Sequence, residues 1–254
     1  MPPLQGDRRR VRRYLLTRSA YGSAWSPEAN RRRLDLSRAV TVPSILGQTD
    51  RDFEWIVLLH PCDELLDERR AAFTGATFIY LPPEVEGTPS HVAWQGYRAG
   101  WAKAIGHRRR PVSMTRLDDD DALAPWAMER FGIAADKVTR RTALVLPHGL
   151  RVWQGRYTVV KHLSNAMQTL VTPAGDELTV YDYKHRDVRL VADVRLVDPH
   201  LGWVWSRHDD SISGWRSGER PLTPAFRALF PIDWSIFGSP VRQERVANAG
   251  RNFR

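Results

Sequence analysis

The 254-residue chain is predicted to be an α/β protein: a mostly parallel central sheet with helices on both faces, and a mixed β region in its last third. Three observations carry this. Short apolar runs alternate with helical periodicities from Tyr14 to about residue 150, the pattern of repeated βα units. One run, "EWIVLLH", is apolar without alternation, as a strand buried on both faces should be. Beyond residue 150 the helical periods give way to closely spaced strand-like runs.

The elements follow in order. "YLLT" (Tyr14–Thr17) is the first strand, and "SAYGSAWSPEAN" is a loop punctuated by Gly, Ser and Pro. A helix is expected from about Asn30, with Leu34, Ala39, Val42, Ile45 and Leu46 near helical spacing and Pro43 kinking it or opening a new first turn. After the turn "GQTDRDF" come the strand "EWIVLLH", the helix "DELLDERRAAF" and the strand "ATFIYLP". "SHVAWQGYRAGWAKAIG" is a helix with Ser90 as its cap, and "RPVSMTRLD" is a strand. "APWAMERFGIAADKV" is a helix with Pro125 in its first turn, and "RTALVLPHG" is a strand. "GLRVWQGRYTVVKHL", "ELTVYDYKH" and "VRLVADVRLVD" read as hairpin or edge strands. We expect one composite domain, with halves at about 12–150 and 151–240 and a polar tail at 241–254.

Composition narrows the class. Apolar residues make up 42% and charged residues 26%, as in soluble globular chains. No apolar run approaches the roughly 20 residues of a membrane span, and the basic N-terminus has no signal-peptide core. The single Cys62 allows no internal disulfide; it is expected to be a small buried residue in a reducing, cytoplasmic compartment. Lys+Arg outnumber Asp+Glu by 38 to 29, mostly as clustered arginines such as Arg8–Arg13. These either form a solvated face or meet anions, including anionic membrane at the inner face. No nucleic acid is expected, because no recognisable nucleic-acid module is present. "HRD" at His185–Asp187 lacks the Asn and D-F-G of a kinase, and no Gly-rich phosphate loop occurs.

Against that positive balance, "TRLDDDDAL" gathers Asp118, Asp119, Asp120 and Asp121 where a strand ends. Ligands of open α/β sheets bind beyond such ends. Hard cations, Mn²⁺ or Mg²⁺, take carboxylate oxygens together with substrate phosphates, so the cluster is read as a divalent-metal and diphosphate site. An EF-hand is excluded, since Ala122 and Leu123 stand where it needs Asp and Gly. A plain acidic surface loop is the competing reading.

The pair "TVPSILGQTDRDFEWIVLL" and "TRLDDDDAL", with a late histidine, resembles a rhamnosyltransferase family of bacterial glycosyltransferases with the Rossmann-like glycosyltransferase-A fold, over roughly Tyr14 to Asp210. The resemblance implies transfer of a sugar, rhamnose among the candidates, from a nucleoside-diphosphate donor to a polysaccharide or glycolipid acceptor. It implies that Asp118 and Asp120 form the D-x-D pair, with Asp120 on the metal and Asp118 near the ribose or metal. Asp121 would support them or contact the donor sugar, and Asp119 would point away. His208 would be a late metal ligand from the acceptor side.

An inverting transfer needs a general base, for which Asp209 and Asp210 are nearest in sequence. The donor base is expected near the first two strand ends, at Thr17, Arg18 and Asp63. Arg116 either neutralises phosphate or pairs with the aspartates. Trp203, Trp205, Trp215 and His185 are acceptor-side candidates, with core packing the alternative for the tryptophans. The competing classes are a basic nucleic-acid or membrane-surface binder and an inactive transferase-fold scaffold.

Overall fold

A computed structural model describes residues 11–19, 26–81, 95–101, 109–207 and 220–238. The strands among them are β1 (Arg12–Ser19), β2 (Glu54–Leu59), β3 (Thr77–Tyr80), β4 (Val112–Asp118), β5 (Ala122–Leu123), β6 (Thr142–Val145), β7 (His148–Trp153), β8 (Arg156–Lys161), β9 (Thr169–Thr172), β10 (Asp193–Leu196), β11 (Leu201–Ser206) and β12 (Arg220–Pro221). The helices are α1 (Pro27–Leu36), α2 (Val42–Leu46), α3 (Leu66–Ala72), α4 (Ala127–Ala135) and α5 (Pro224–Arg227), with a further helical stretch at 95–101.

The central sheet runs β10-β6-β9-β4-β1-β2-β3. β1 pairs in parallel with β2 and with β4, β2 with β3, and β10 with β6; only β9 runs antiparallel, between β4 and β6. Strand order therefore reverses at β1, which puts the ligand crevice of such a sheet beyond the carboxyl ends of β1 and β4. Alternate residues of β1 face opposite sides, as strand geometry requires. Leu15 packs with Val42, Ile45, Phe73, Met128 and Phe131; Tyr14 and Leu16 pack with Tyr97, Trp101 and Tyr181.

A second sheet, β12-β8-β7-β11-β5, covers the site end. "RTALVLPHG" thus contributes to both sheets: β6 stops at Val145 and β7 begins at His148 beyond Pro147. β7 and β8 form a hairpin whose turn, Gln154–Gly155, has φ of 46° and 67°. Two successive positive values match the right-handed twist of the flanking strands. Gly149 is required at its place, because a Cβ there would lie 2.0 Å from the Trp203 ring.

The helix expected from Asn30 starts earlier, at Pro27. Ser26 caps it, its Oγ accepting from the Ala29 N–H at 3.3 Å, and Pro27 occupies the first turn where no N–H is needed. Pro43 does not break the helical path. A wider π turn over Ser37–Thr41 joins α1 to α2, and the Ala39 carbonyl, which Pro43 cannot serve, accepts the Asp233 N–H at 2.8 Å.

Three expectations are corrected, and one open choice is decided. "ELTVYDYKH" forms no strand: Thr179 and Asp182 side chains accept backbone N–H groups of Tyr181 and Thr179, closing turns instead of a ladder. Cys62 is exposed, because it lies in the turn after β2 and not in an element with an inward face. Arg13 is not a surface charge; it is buried against α4 and paired with Asp50, while Arg12 pairs with Glu54 at 3.3 Å. Trp203 is core, fully buried with its indole N–H on the Leu146 carbonyl at 2.8 Å. Among the described residues no helix is long and apolar enough to cross a membrane.

Candidate functional site

The acidic turn joins the two sheets. Asp118 ends β4 in the central sheet and Ala122 begins β5 in the second, so Asp118–Asp121 is held from both sides. The four carboxylates separate by orientation. Asp118 and Asp120 keep 16% and 12% of their side chains open, whereas Asp119 and Asp121 are buried.

Arginines compensate the charge. Arg116 donates to both oxygens of Asp118, at 3.0 Å to Oδ2 and 3.3 Å to Oδ1, and Arg18 stands 3.5 Å from Oδ2. Burial alone would raise the Asp118 carboxyl; these two guanidiniums overcome it and hold the group well below the usual carboxylate range. Arg116 also lies over the Tyr181 ring, 4.9 Å from its centroid. Arg33 donates to Asp120 Oδ2 at 3.0 Å and to Asp119 Oδ1.

Asp119 turns inward. Its Oδ2 accepts from Ser19 Oγ at 2.7 Å and lies 3.7 Å from Arg69, which also donates to Ser19 Oγ, Asp63 and Asn30. Asp121 is pushed well up by burial and by Asp120 and Asp118, and is opposed by the Ser206 N–H donating to its Oδ1 at 3.0 Å.

A stripe along the first helical path fixes the turn's backbone. Ser37 Oγ donates to the Asp119 carbonyl at 2.8 Å and Thr41 Oγ1 to the Asp121 carbonyl at 2.9 Å. Ser44 Oγ accepts from the Leu123 N–H at 3.4 Å. Gln48 Nε2 donates to the Ala124 carbonyl at 2.9 Å, and its Oε1 accepts from the Met128 N–H at 3.0 Å. Arg33, Ser37, Thr41, Ser44 and Gln48 thus recur at helical spacing and bond in sequence to residues 119–128. This explains the "PSILGQT" segment: Gln48 and Thr49 stitch the end of α2 to the residues leaving the acidic turn.

The remaining candidates divide. Thr17 is fully buried, its Oγ1 accepting from the Trp55 indole at 3.0 Å and its carbonyl from the Tyr97 hydroxyl. Asp63 is tied to Arg69 at 2.6 Å and Asn30 at 3.0 Å, with 3% of its side chain open. Both lie in the framework beneath the crevice and offer a donor base no free face. Trp205 is half-buried with the Arg207 guanidinium 4.2 Å above its ring. His185 is half-buried near His162, and burial together with Arg116 brings its imidazole down to about 4. His208, Asp209, Asp210 and Trp215 lie outside the described residues.

The residues missed from sequence are Arg33, Ser37, Thr41 and Arg69. Their signal was a polar stripe at helical spacing for the first three, which resembles a solvated helix face until its partner strand is known.

The model of the family described as "Putative rhamnosyl transferase" matches residues 17–220. The chain belongs to that family. The match spans β1 to β12 and so takes in the acidic turn, its arginines and the second sheet. The family's description makes the chain a glycosyltransferase. No curated protein matches its sequence.

Among solved structures, the chain is similar to S. aureus TarS at 9% identity and a TM-score of 0.47, over 78% of this chain and 37% of TarS. A "putative nucleotide-diphospho-sugar transferase" from Desulfovibrio desulfuricans G20 matches at 11% identity and 0.40, over 78% and 83%. A 4-diphosphocytidyl-2C-methyl-D-erythritol synthase matches at 13% and 0.40, over 75% and 91%. At these scores the superpositions are partial, and no residue's role rests on them.

Proposed function

We propose that this family member is a metal-dependent, inverting glycosyltransferase. It moves a sugar, rhamnose by the family's description, from a nucleoside-diphosphate donor to a polysaccharide or glycolipid acceptor. The observation that carries this is the acidic turn: at the strand-order reversal, Asp118 and Asp120 keep 16% and 12% of their side chains open while Asp119 and Asp121 are buried in holding the turn in place.

The donor set suits Mn²⁺ or Mg²⁺, because Asp118 and Asp120 are the two carboxylates of the turn with hard oxygens partly open. Among the described residues no three metal-ligating side chains converge, so the ion would need substrate phosphate, water or a further ligand to complete its shell. His208, beyond the end of β11, is the proposed additional ligand. When bound, the ion supplies Lewis acidity towards the diphosphate leaving group.

The chain's own residues do the rest. Arg116 and Arg18 keep Asp118 ionised at neutral pH. Arg33 orients Asp120 from behind, and Ser37 and Thr41 hold the backbone to which both carboxylates belong. The acceptor hydroxyl oxygen forms the new bond at the anomeric carbon as the bond to the diphosphate oxygen breaks. The hydroxyl proton passes to a base and the nucleoside diphosphate leaves. Asp209 or Asp210 is proposed as that base, because β11 runs to Ser206, whose N–H already grips Asp121.

Thermal unfolding with Mn²⁺ and a panel of nucleoside diphosphates tests the reading on the native chain and Asp120→Asn. Saturation a hundred-fold above the dissociation constant stabilises by about 2.7 kcal/mol. A metal-dependent shift for one nucleotide, lost in the variant, is expected. A shift equal with and without metal would transfer the diphosphate to Arg18 and Arg116. No shift for any nucleotide would remove the donor-site reading.

A further inference from the structure

Beside the acidic turn lies a cavity of about 490 Å³, bounded by α1, the tip of the β7–β8 hairpin, Arg207 and the segment Ile236–Phe237. Its volume is that of a small-ligand site. Leu36, Trp153, Ile236 and Phe237 give it apolar walls, and Glu28, Arg31, Arg32, Asp35 and Arg207 carry its charge.

Arg207 stands apart from the others. It is 6% exposed, its guanidinium lies over Trp205, and its Nε is buried without a hydrogen-bond partner. No carboxylate among the described residues forms an ion pair with it, whereas Arg31 pairs with Glu68 and Arg33 with Asp119 and Asp120. Asp121 and Asp120 act on its charge through space, but its Nε has no acceptor, so an oxyanion in the cavity would complete it. Two residues of its wall adjoin, in the chain, residues that hold the acidic turn. Arg207 follows Ser206, which bonds Asp121, and Leu36 precedes Ser37, which bonds the Asp119 carbonyl.

We propose that this cavity is the acceptor subsite, that it takes an acceptor bearing an oxyanion beside a ring or apolar portion, and that Arg207 reads the oxyanion. The inference rests on the glycosyltransferase reading for the word acceptor, but the binding it requires does not. A phosphate ester and a uronic-acid carboxylate offer Arg207 the same chemistry, so both are used as probes.

Equilibrium binding of p-nitrophenyl phosphate, p-nitrophenyl glucuronide and uncharged p-nitrophenyl glucoside is measured on the full chain, without nucleotide or metal. At least one anionic probe should bind about ten-fold tighter than the glucoside, the scale of one charge-assisted hydrogen bond. Which probe it is tells phosphate from carboxylate. Arg207→Gln should erase that preference, Arg207→Lys should restore part of it, and Trp153→Ala should weaken all three probes.

Equal binding of charged and neutral probes would overturn the proposal. So would a preference that survives in Arg207→Gln. Loss of nucleoside diphosphate binding in Arg207→Gln with probe binding intact would assign Arg207 to the donor and overturn it too. Because nucleotide and metal are absent, failure here leaves the donor-site test standing, and failure there leaves this one.

Discussion

Asp119 and Asp120 are neighbours in sequence with opposite duties, and replacing each by Asn separates them. Asp119 is fully buried, accepts from Ser19 and Arg33, and has Arg69 3.7 Å away. Removing one partner of a buried charge pair costs about 3–5 kcal/mol. The lower end applies here, because Arg33 keeps Asp120 at 3.0 Å and Arg69 keeps Asp63 at 2.6 Å. Asp119→Asn should therefore lose about 3 kcal/mol, a fall in Tm of about 6–12 °C for a domain of this size. Asp120→Asn gives up a buried contact with Arg33, but Arg33 keeps Asp119 and 12% of the Asp120 side chain is open, so it should lose less, about 2 kcal/mol. Urea unfolding followed by tryptophan fluorescence reads both, with the slope checked against the native chain. If Asp119→Asn costs under about 1 kcal/mol, or Asp120→Asn costs as much, the division into a structural and a ligand-facing carboxylate is wrong.

Two further outcomes follow from the same geometry. Gln48→Leu strands the Met128 N–H in the interior and leaves the Ala124 carbonyl to the Ala127 N–H alone, and at about 1–3 kcal/mol per unsatisfied group it should cost about 1–3 kcal/mol in urea unfolding; a loss below about 1 would mean that water replaces the amide. His185, brought down to about 4 from 6.5, contributes stability that is present above pH 6.5 and lost as pH falls through 4, up to about 3 kcal/mol. His185→Gln should flatten that part of the pH–stability curve, and a curve parallel to the native one between pH 6.5 and 4 would show that the imidazole is not held neutral by the fold.

Much of the fold was legible because local chemistry specified it. β2 is apolar on both faces and reads as an inner strand, and Gln154–Gly155 is turn chemistry between two strand-like runs. Other elements depended on competition that sequence does not display. "ELTVYDYKH" has the composition of a strand, yet the Thr179 and Asp182 side chains take backbone N–H groups of the same segment and close turns. Trp203 carried the same surface signal as Trp205; only the missing Cβ of Gly149 opposite it makes one core and leaves the other half-exposed.

The acidic turn shows where the two sources of information part. By itself the sequence determined that four carboxylates follow a buried strand in a basic chain, and that such a cluster at a strand end calls for cations. It could not determine which cations. The partners of Asp119 and Asp120, Arg33 and Arg69, lie dozens of residues earlier in the chain. They reach the turn because α1 and α3 pack beside the strand-order reversal. Four adjacent aspartates are equivalent as text. Tertiary structure makes them unequal, because the chain crossing from one sheet to the other buries Asp119 and Asp121 and leaves Asp118 and Asp120, each held by its own arginine, partly open.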